Sequence, residues 1–295
     1  MKMKNYEFIM ALEGYYTISN PPSVEDLKQY YQNKYWQEVT GLGVNMTEIE
    51  RAYIANTVKL KGYNAEKFLK SKNRFLDIGA GEGHTLNYFT KKGWYGVGLD
   101  FSDYGVRRHY PELLPNLIIG DIYENLNLII EKEEKFNLVI LDNVLEHVIS
   151  PKDLISNIKK IMIEEEGCSS LLVRVPNDFS AIQSYLSSRN IVNNKYWISP
   201  PDHLNYFNAA SLQKFFIHNG FIVDVMYSDW PIELDLFNPN TNYVNNKQVG
   251  KDSHIARMVI ENLIAENEIE DVMKFYEAAA KVGLGRTITI FAHLI

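Results

Sequence analysis

The sequence predicts an α/β protein with a doubly wound parallel sheet, and three observations lead to this prediction. Short apolar runs alternate with segments of helical pattern through the middle of the chain. The first apolar run ends at closely spaced glycines, Gly79, Gly81 and Gly83. The runs are short and continuously apolar, as strands buried on both faces of a parallel sheet are. Right-handed crossovers then place helices on both faces.

The first 72 residues are predicted to form a helical cap that precedes the sheet. Ser23 and Thr47 are good N-cap residues, and each is followed three residues later by an acidic residue, which predicts helices over 24–36 and 48–61. Four aromatic side chains of this region are expected either to close over a ligand or to pack the cap onto the sheet: Tyr15, Tyr16, Tyr35 and Trp36.

Residues 73–295 are predicted to form the main domain. The apolar runs predict five parallel strands, over 75–78, 95–100, 117–119, 136–141 and 171–175. Helical patterns connect or follow them over 85–92, 123–134, 151–166, 181–188 and 209–219. Two further strands are predicted over 221–227 and 287–292. The stretch 229–285 between them is too long for a plain loop and is predicted to be an insertion with helices over 253–266 and 269–281.

Composition excludes several classes of protein. Hydrophobic residues make up 46% and charged residues 23% of the chain, which is typical of a globular protein and not of a disordered one. No apolar run approaches the roughly 20 residues that a membrane helix needs, and no signal peptide is predicted. The single cysteine, Cys168, favours a reducing compartment, so a cytoplasmic location is expected. A net charge of −7 disfavours nucleic acid as the main partner.

The glycine cluster lies where the first predicted strand turns into the first helix, a position that suits an anionic or nucleotide ligand. A dinucleotide site has the spacing G-x-G-x-x-G, but here the third glycine comes one residue early, in Gly79-Ala80-Gly81-Glu82-Gly83. Asp77 precedes the loop, and its carboxylate would repel a pyrophosphate. It would suit an ammonium group, which S-adenosylmethionine (SAM) carries. The alternative to a ligand site is an ordinary glycine-rich turn.

Acidic residues also follow the second and third predicted strands. Asp100 can accept hydrogen bonds from both hydroxyls of a ribose, in a SAM site or an NAD site alike, or it can be a solvated turn residue. Phe101 either packs on an adenine or belongs to the core. Asp121 can accept from an adenine amino group while the Ile122 N–H donates to the ring. Asp121 can also act as the N-cap of a helix.

These motifs together resemble the class I SAM-dependent methyltransferases over about residues 75–227. The resemblance includes the run Leu145-Glu146-His147-Val148, the Val-Pro-Asn run at 175–177 and the segment 201–207. It is closest to the small-molecule branch, which includes ubiquinone-type enzymes and bacterial sugar or polysaccharide methyltransferases. No specific resemblance covers the first 70 residues.

The resemblance implies a seven-stranded, Rossmann-like sheet in which the last two strands are antiparallel. It implies that Asp77 and the glycine loop hold the methionyl part of SAM, Asp100 the ribose and Asp121 the adenine, while Asp142 and Asn143 contact SAM or the acceptor. The predicted cofactor-binding residues are therefore Asp77, Gly79, Ala80, Gly81, Gly83, Asp100, Phe101, Asp121, Ile122, Asp142 and Asn143.

A hydroxyl acceptor needs a base, and two histidines are candidates because imidazole titrates near neutrality. His203 is preferred because it is expected to face the acceptor, and His147 is the second candidate; either can instead be a packing residue. Some relatives bind a divalent metal through E-x-x-E-H. Here Asn143 replaces the first carboxylate, so no metal is predicted, although Glu146 and both histidines could form a weak site. Arg174, within a buried strand, needs an acidic partner or an anionic substrate.

The main hypothesis is a SAM-dependent methyltransferase that acts on a small-molecule hydroxyl and releases S-adenosylhomocysteine (SAH). The expected acceptor is a sugar or nucleotide sugar of polysaccharide or glycoconjugate biosynthesis, and the alternative is a quinone-like or other aromatic hydroxyl. Hypotheses of another class are an NAD-dependent oxidoreductase and a SAM-binding protein without catalysis. Neither nucleic acid nor a membrane is an expected partner. The insertion is expected to form either a substrate lid or a homodimer interface.

Overall fold

The computed structural model describes residues 6–30, 46–71 and 73–295. In chain order the strands are β1 (Phe8–Met10), β2 (Tyr16–Ile18), β3 (Arg74–Ile78), β4 (Tyr95–Asp100), β5 (Leu117–Ile119), β6 (Leu138–Asp142), β7 (Ser170–Pro176), β8 (Asn205–Tyr206), β9 (Phe221–Ser228) and β10 (Thr287–Leu294). The α-helices are α1 (Val24–Tyr30), α2 (Glu48–Phe68), α3 (His84–Lys91), α4 (Tyr104–His109), α5 (Ile122–Glu131), α6 (Pro151–Ile161), α7 (Ala181–Ser188), α8 (Ala209–His218), α9 (Gly250–Ile264) and α10 (Ile269–Lys281). Short 3-10 turns span Pro111–Asn116, Ile232–Phe237 and Lys247–Val249.

The main sheet has seven strands in the order β5-β4-β3-β6-β7-β10-β9. The strands from β5 to β7 are parallel, whereas β10 lies antiparallel to both β7 and β9. The predicted doubly wound α/β fold with an antiparallel final pair is therefore confirmed. The strand order reverses at β3, which has β4 on one side and β6 on the other. Ligands of such sheets bind outside the carboxyl ends of the strands at this point.

Two apolar cores cover the two faces of the sheet. Because side chains alternate along a strand, Leu76 and Ile78 of β3 enter one core, whereas Phe75 enters the other. The core around Phe75 also contains Ala65 and Leu69, so α2 and the residue after it cover this face. Helices α6 and α8 cover the opposite face. This arrangement fixes which strand residues can reach α2.

The structure differs from the sequence prediction in several elements. A small antiparallel sheet of β1, β2 and β8 was not predicted, because its strands have two or three residues and its partners lie far apart in the chain. Helix α2 continues past Gly62 to Phe68. A Cβ at Gly62 would lie 2.4 Å from the Tyr88 hydroxyl, so the glycine allows α2 to approach α3 closely and does not end the helix. Helix α6 ends at Ile161, five residues before its predicted end.

The aromatic residues of the N-terminal region are described only in part. Tyr15 stacks on Phe207 with ring centroids 4.4 Å apart and is buried. Tyr16 contacts Phe179 at the same centroid distance. Both contacts are with residues of the predicted main domain. Tyr35 and Trp36 lie outside the described residues. No helix among the residues described has the length and apolarity to cross a membrane.

Candidate functional site

An open cleft of about 290 Å³ lies at the carboxyl ends of β3 and β6, beneath α2. Its volume lies at the lower end of the roughly 300–1,000 Å³ that ligand pockets occupy. One wall is the glycine loop with Asp77, Asp142, Asn143 and Arg174. The other wall is α2, which contributes Tyr53, Ile54, Thr57, Val58 and Lys61. The cleft therefore joins the predicted cofactor loop to the N-terminal region.

The alternation of strand residues explains why three charged side chains meet in this cleft. Each charged residue lies on the same face of its strand as the residue two positions before it. The three pairs are Phe75 and Asp77 in β3, Ile140 and Asp142 in β6, and Leu172 and Arg174 in β7. Phe75, Ile140 and Leu172 all belong to the core beneath α2. Asp142 also lies directly opposite Arg174 in the strand register. The charged groups thus lie near the carboxyl ends of three adjacent strands, on the face that α2 covers.

Asp77 is the most deeply buried carboxylate of the cleft, with 2% of its surface exposed. Its Oδ2 atom has no hydrogen-bond partner among the described residues. Burial raises the pKa of Asp77 to about 7, an effect that the ammonium of Lys61 opposes. An unpaired, buried carboxylate oxygen at a cleft wall is a strong acceptor for a positively charged donor.

Lys61 of α2 is a site residue that the sequence prediction missed. Its Nζ donates to Thr85 Oγ1 at 2.9 Å and to the carboxylate of Asp142. Burial alone would raise the pKa of Asp142, but the charges of Lys61 and Arg174 hold it below its usual value. The sequence showed only a lysine within a helix, which is usually solvated, and gave no signal that this one is buried.

The glycine loop has the backbone geometry that a close ligand approach requires. Gly79 and Gly81 have φ values of 74° and 54°, in the left-handed region. A Cβ at Gly79 would lie 2.5 Å from a methyl carbon of Val144. Asp100 holds the loop in place, because its two carboxylate oxygens accept from the Gly81 N–H at 2.8 Å and from the Ser102 N–H at 3.0 Å. Lone pairs of the same oxygens remain for a ligand.

Neither Asp100 nor any other predicted nucleoside residue is among the described residues that line the cleft. Phe101 is partly buried and packs against the core that contains Leu76 and Ile78, on the sheet face opposite α2. Asp121 is the N-cap of α5, since its Oδ1 accepts from the Tyr123 N–H at 2.9 Å and the Glu124 N–H at 3.0 Å. Ile122 is a buried residue of the first turn of α5. Asn143 does line the cleft and has φ of 55°, an unusual value for a residue other than glycine.

The two predicted catalytic histidines lie together and are not among the described residues that line the cleft. Their rings meet edge to face with centroids 5.0 Å apart. His147 Nδ1 is 2.7 Å from the carbonyl oxygen of Asp202, which fixes the orientation of the ring. Burial lowers the pKa of His147, and the Asp202 carboxylate and carbonyl oppose this shift. Burial, His147 and Arg286 lower the pKa of His203 to about 3.

Asn205 holds the loop that carries His147, and the sequence prediction missed this role. Its fully buried amide Nδ2 donates to the carbonyls of Val148 at 2.7 Å and Leu145 at 3.3 Å. Glu146, His147 and His203 each place one ligand atom within 4.8 Å of the others, a spacing that would also suit a metal ion. The expectation that no metal binds stays a prediction.

The insertion reaches the same end of the sheet. Arg257 of α9 donates to Asp229 Oδ2 at 2.6 Å, to Glu261 at 2.7 Å and to the Tyr53 hydroxyl of α2 at 3.1 Å. Asp229 also lies 3.6 Å from Arg174. Arg174 thus has the acidic partners that its place in a buried strand requires. A continuous charge network connects the cleft, the α2 helix and the insertion.

A family model described as a methyltransferase domain matches residues 47–224, more than half of the chain. The chain belongs to this methyltransferase family. The match confirms the predicted class, the SAM-dependent methyltransferases, and with it SAM as the cofactor. It also begins at residue 47, so α2 belongs to the family region, although the sequence prediction found no resemblance in the first 70 residues. No curated protein sequence matches the methyltransferase.

Solved structures share the fold of the methyltransferase at low sequence identity. A SAM-dependent methyltransferase from Archaeoglobus fulgidus has a TM-score of 0.50 and 17% identity, covering 82% of this chain and 93% of that one. The plantazolicin methyltransferase BpumL, in complex with SAH and a triazolic desmethylPZN analogue, has a TM-score of 0.52 and 13% identity, with coverages of 91% and 96%. Identities this low establish the fold and leave the acceptor open.

Proposed function

We propose that this methyltransferase transfers a methyl group from SAM to a hydroxyl of a small, sugar-like molecule. Binding of SAM in the cleft is supported by one observation, the Oδ2 atom of buried Asp77, which lies at the cleft wall and has no hydrogen-bond partner among the described residues. This oxygen is suited to the ammonium of the methionyl group. The left-handed glycines beside it allow the backbone to approach the ligand.

The remaining predicted cofactor residues are assigned in the same proposal. The free lone pairs of Asp100 receive the ribose hydroxyls, and Asp121 with the Ile122 N–H contacts the adenine at the start of α5. Lys61 and Asp142 form the inner wall and fix α2 over the methionyl end. Bound SAM supplies a methyl group on a sulfonium, which is already activated for displacement. The protein therefore has to align the acceptor and remove its proton.

We assign removal of the acceptor proton to the histidine pair, with His147 as the base. Its Nδ1 is held by the Asp202 carbonyl, and the carboxylates of Asp202 and Glu146 lie 3.6 Å and 3.8 Å from the ring nitrogens. The Asp202 carboxylate and carbonyl favour a proton on the ring, although burial lowers the pKa of His147. The pKa of His203 is about 3, so a proton on that ring is unfavourable near neutral pH. His203 then orients the acceptor, although the sequence favoured it as the base.

The acceptor is proposed from the resemblance and from the polar surroundings of His203, and an aromatic hydroxyl is the alternative. The NAD-dependent oxidoreductase hypothesis is disfavoured by the family match and by Asp77, whose buried carboxylate would face the pyrophosphate. In a protein that binds SAM without catalysis, neither His147 nor His203 would have to be held in its observed position. The ordered histidine pair therefore favours an enzyme.

The test is transfer of radiolabelled methyl from SAM to a panel of sugar glycosides and a panel of catechols. We expect labelled product from the glycosides, and we expect His147→Asn to reduce its rate roughly 10²–10⁴-fold, the contribution typical of a positioned base. Binding of SAH should be unchanged in this variant, which serves as the control for folding. Label transfer that is as fast in His147→Asn as in the wild type would contradict the assignment of the base.

A further inference from the structure

Buried polar atoms without partners are concentrated around Arg286, which directly precedes β10. Five such atoms have no hydrogen-bond partner in the described part of the chain: Asp178 Oδ2, Tyr196 Oη, Trp197 Nε1, His203 Nδ1 and Glu233 Oε1. The five residues that carry these atoms, together with Arg286, are called the Arg286 cluster. Buried polar groups are normally hydrogen-bonded, so such a concentration indicates a ligand or water molecules between them.

The distances show that the cluster is one site. The Arg286 guanidinium lies 3.2 Å from Asp178 Oδ1 and 3.7 Å from Glu233 Oε1. Asp178 Oδ2 lies 3.9 Å from His203 Nδ1. The ring of Tyr196 meets that of Trp197 edge to face at 5.2 Å, and the charges of Glu233 and Arg286 both act on the Tyr196 hydroxyl. Asp178, Trp197 and Glu233 are each no more than 2% exposed.

The cluster is assembled from four separate parts of the chain. Asp178 follows β7, and Tyr196, Trp197 and His203 belong to the connection between α7 and β8. Glu233 lies in the 3-10 turn Ile232–Phe237 of the insertion, and Arg286 directly follows the insertion. The insertion therefore completes this site. Because His203 also belongs to the histidine pair, the Arg286 cluster borders the proposed position of the proton transfer.

The chemistry of the unpartnered atoms selects among ligands. Tyr196 and Trp197 offer hydrogen-bond donors, whereas the two carboxylates and neutral His203 offer acceptors. A hydroxyl group both donates and accepts, so several hydroxyls on one molecule match this mixture. A phosphate or carboxylate is disfavoured, because Arg286 already faces two carboxylates. A purely aromatic ligand would leave most of these polar atoms unpaired, which is unfavourable for buried polar groups.

We infer that the Arg286 cluster is the recognition site for the acceptor and that it takes an uncharged, polyhydroxylated ring such as a sugar. The inference rests on the proposed methyl transfer and adds to it the place and the chemical class of the acceptor. The aromatic rings of Tyr196 and Trp197 form its apolar wall, and His203 joins it to the histidine pair.

The experiment is saturation-transfer NMR on the full protein saturated with SAH, with four methyl glycosides (of glucose, galactose, mannose and rhamnose) and catechol as probes. The test variants are Tyr196→Phe and Glu233→Gln, which remove one donor and one charge with little change of shape. Tyr185→Phe is the matched control, because Tyr185 is 49% exposed on α7. If Tyr196→Phe reduces the melting temperature, Trp197→Phe replaces it as the test of the donors.

We expect at least one glycoside to bind, and we expect its dissociation constant to rise at least fivefold in both test variants. The control variant should bind it like the wild type, and SAH affinity should change less than twofold throughout. Glycoside binding that both test variants leave unchanged would overturn the inference, as would binding of catechol alone. Binding of SAH without any glycoside would also overturn it, while leaving the proposed methyl transfer intact. Failure to bind SAH would instead contradict the proposed function.

Discussion

Asp77 illustrates how a single residue is tuned for its ligand by burial. Its carboxylate is almost inaccessible and has one oxygen without a partner among the described residues, so in the ligand-free protein its negative charge is disfavoured. The pKa of Asp77 is accordingly about 7, with burial as the main cause. An ammonium that enters the cleft would favour the charged form. Ligand binding and deprotonation of Asp77 are therefore linked.

This linkage predicts how SAH affinity depends on pH. Between pH 6 and pH 8 the ionised fraction of a group with a pKa of about 7 rises from roughly one tenth to nine tenths. We expect the affinity for SAH, measured by calorimetry, to rise about tenfold over this range. Asp77→Asn should bind SAH more weakly at pH 8 and with little pH dependence. A wild-type affinity that does not change between pH 6 and pH 8 would refute the assigned role of Asp77.

Individual site residues could be predicted from the sequence where a local pattern, such as the end of an apolar strand, marks their position. Asp77, Asp142 and the glycine loop were selected from their positions at strand ends, and the structure places them in one cleft. Lys61 and Asn205 were missed, since each acts through contacts between segments that are distant in sequence. A buried lysine in a helix and a buried asparagine in a two-residue strand have no local signature.

At the scale of elements, α2 connects the N-terminal region to the cofactor cleft. Its capping box at Thr47 and Glu50 was visible in the sequence and is present in the structure. Its length was not predictable, because the close approach of α2 to α3 at Gly62 compensates for a helix-breaking residue. Lys61 then brings a positive charge against Asp142 at a place where neither group is well solvated.

Removing this charge is expected to destabilise the fold and the cleft together. Lys61→Met leaves the Asp142 carboxylate with the Asn143 amide at 3.2 Å and the Arg174 guanidinium at 3.6 Å. We expect the free energy of unfolding to fall by about 3 kcal/mol, as is typical when one partner of a buried ion pair is lost. Urea denaturation is the measurement, and Lys59→Met, an exposed change on the same helix, should alter stability by less than about 0.5 kcal/mol. Equal stability of the two variants would show that the ion pair contributes little.

The strands of the main sheet were predicted within a few residues, because buried parallel strands have a continuous apolar pattern. The small sheet of β1, β2 and β8 was not predicted, since strands of two or three residues have no such pattern and depend on their partners. The length of the stretch between β9 and β10 predicted helices there, and α9 and α10 are present. The ion pair between Arg257 and Asp229, and the contact of Arg257 with Tyr53 of α2, arise only after folding.

For the whole molecule, several buried carboxylates make stability depend on pH. Burial raises the pKa of both Asp77 and Glu261 to about 7. A carboxyl whose pKa is raised in the folded state stabilises the fold fully below its unfolded pKa, near 4, and this contribution is lost as the pH rises through the folded value. His147 and His203 have lowered pKa values in the folded protein. These two residues make the stability rise with pH, but mainly below pH 6.5, the unfolded pKa of histidine.

We therefore expect the ligand-free protein to lose stability between pH 6.5 and pH 8, by about 1–2 kcal/mol for the two carboxyls together. Denaturant titrations at the two pH values measure the difference. Asp77→Asn should remove about half of it, and saturating SAH should reverse it at pH 8. Stability that increases over this interval would show that Asp77 and Glu261 are already ionised at pH 6.5.

The cleft between the glycine loop and α2 is proposed to bind the methionyl end of SAM. A calorimetric titration of the protein with SAH at pH 8, with NAD as the parallel ligand and Asp77→Asn as the parallel variant, measures this binding directly. We predict micromolar binding of SAH, at least tenfold weaker binding in Asp77→Asn, and no binding of NAD. Binding of NAD without binding of SAH would contradict the proposed role of the cleft and assign the glycine loop to a dinucleotide.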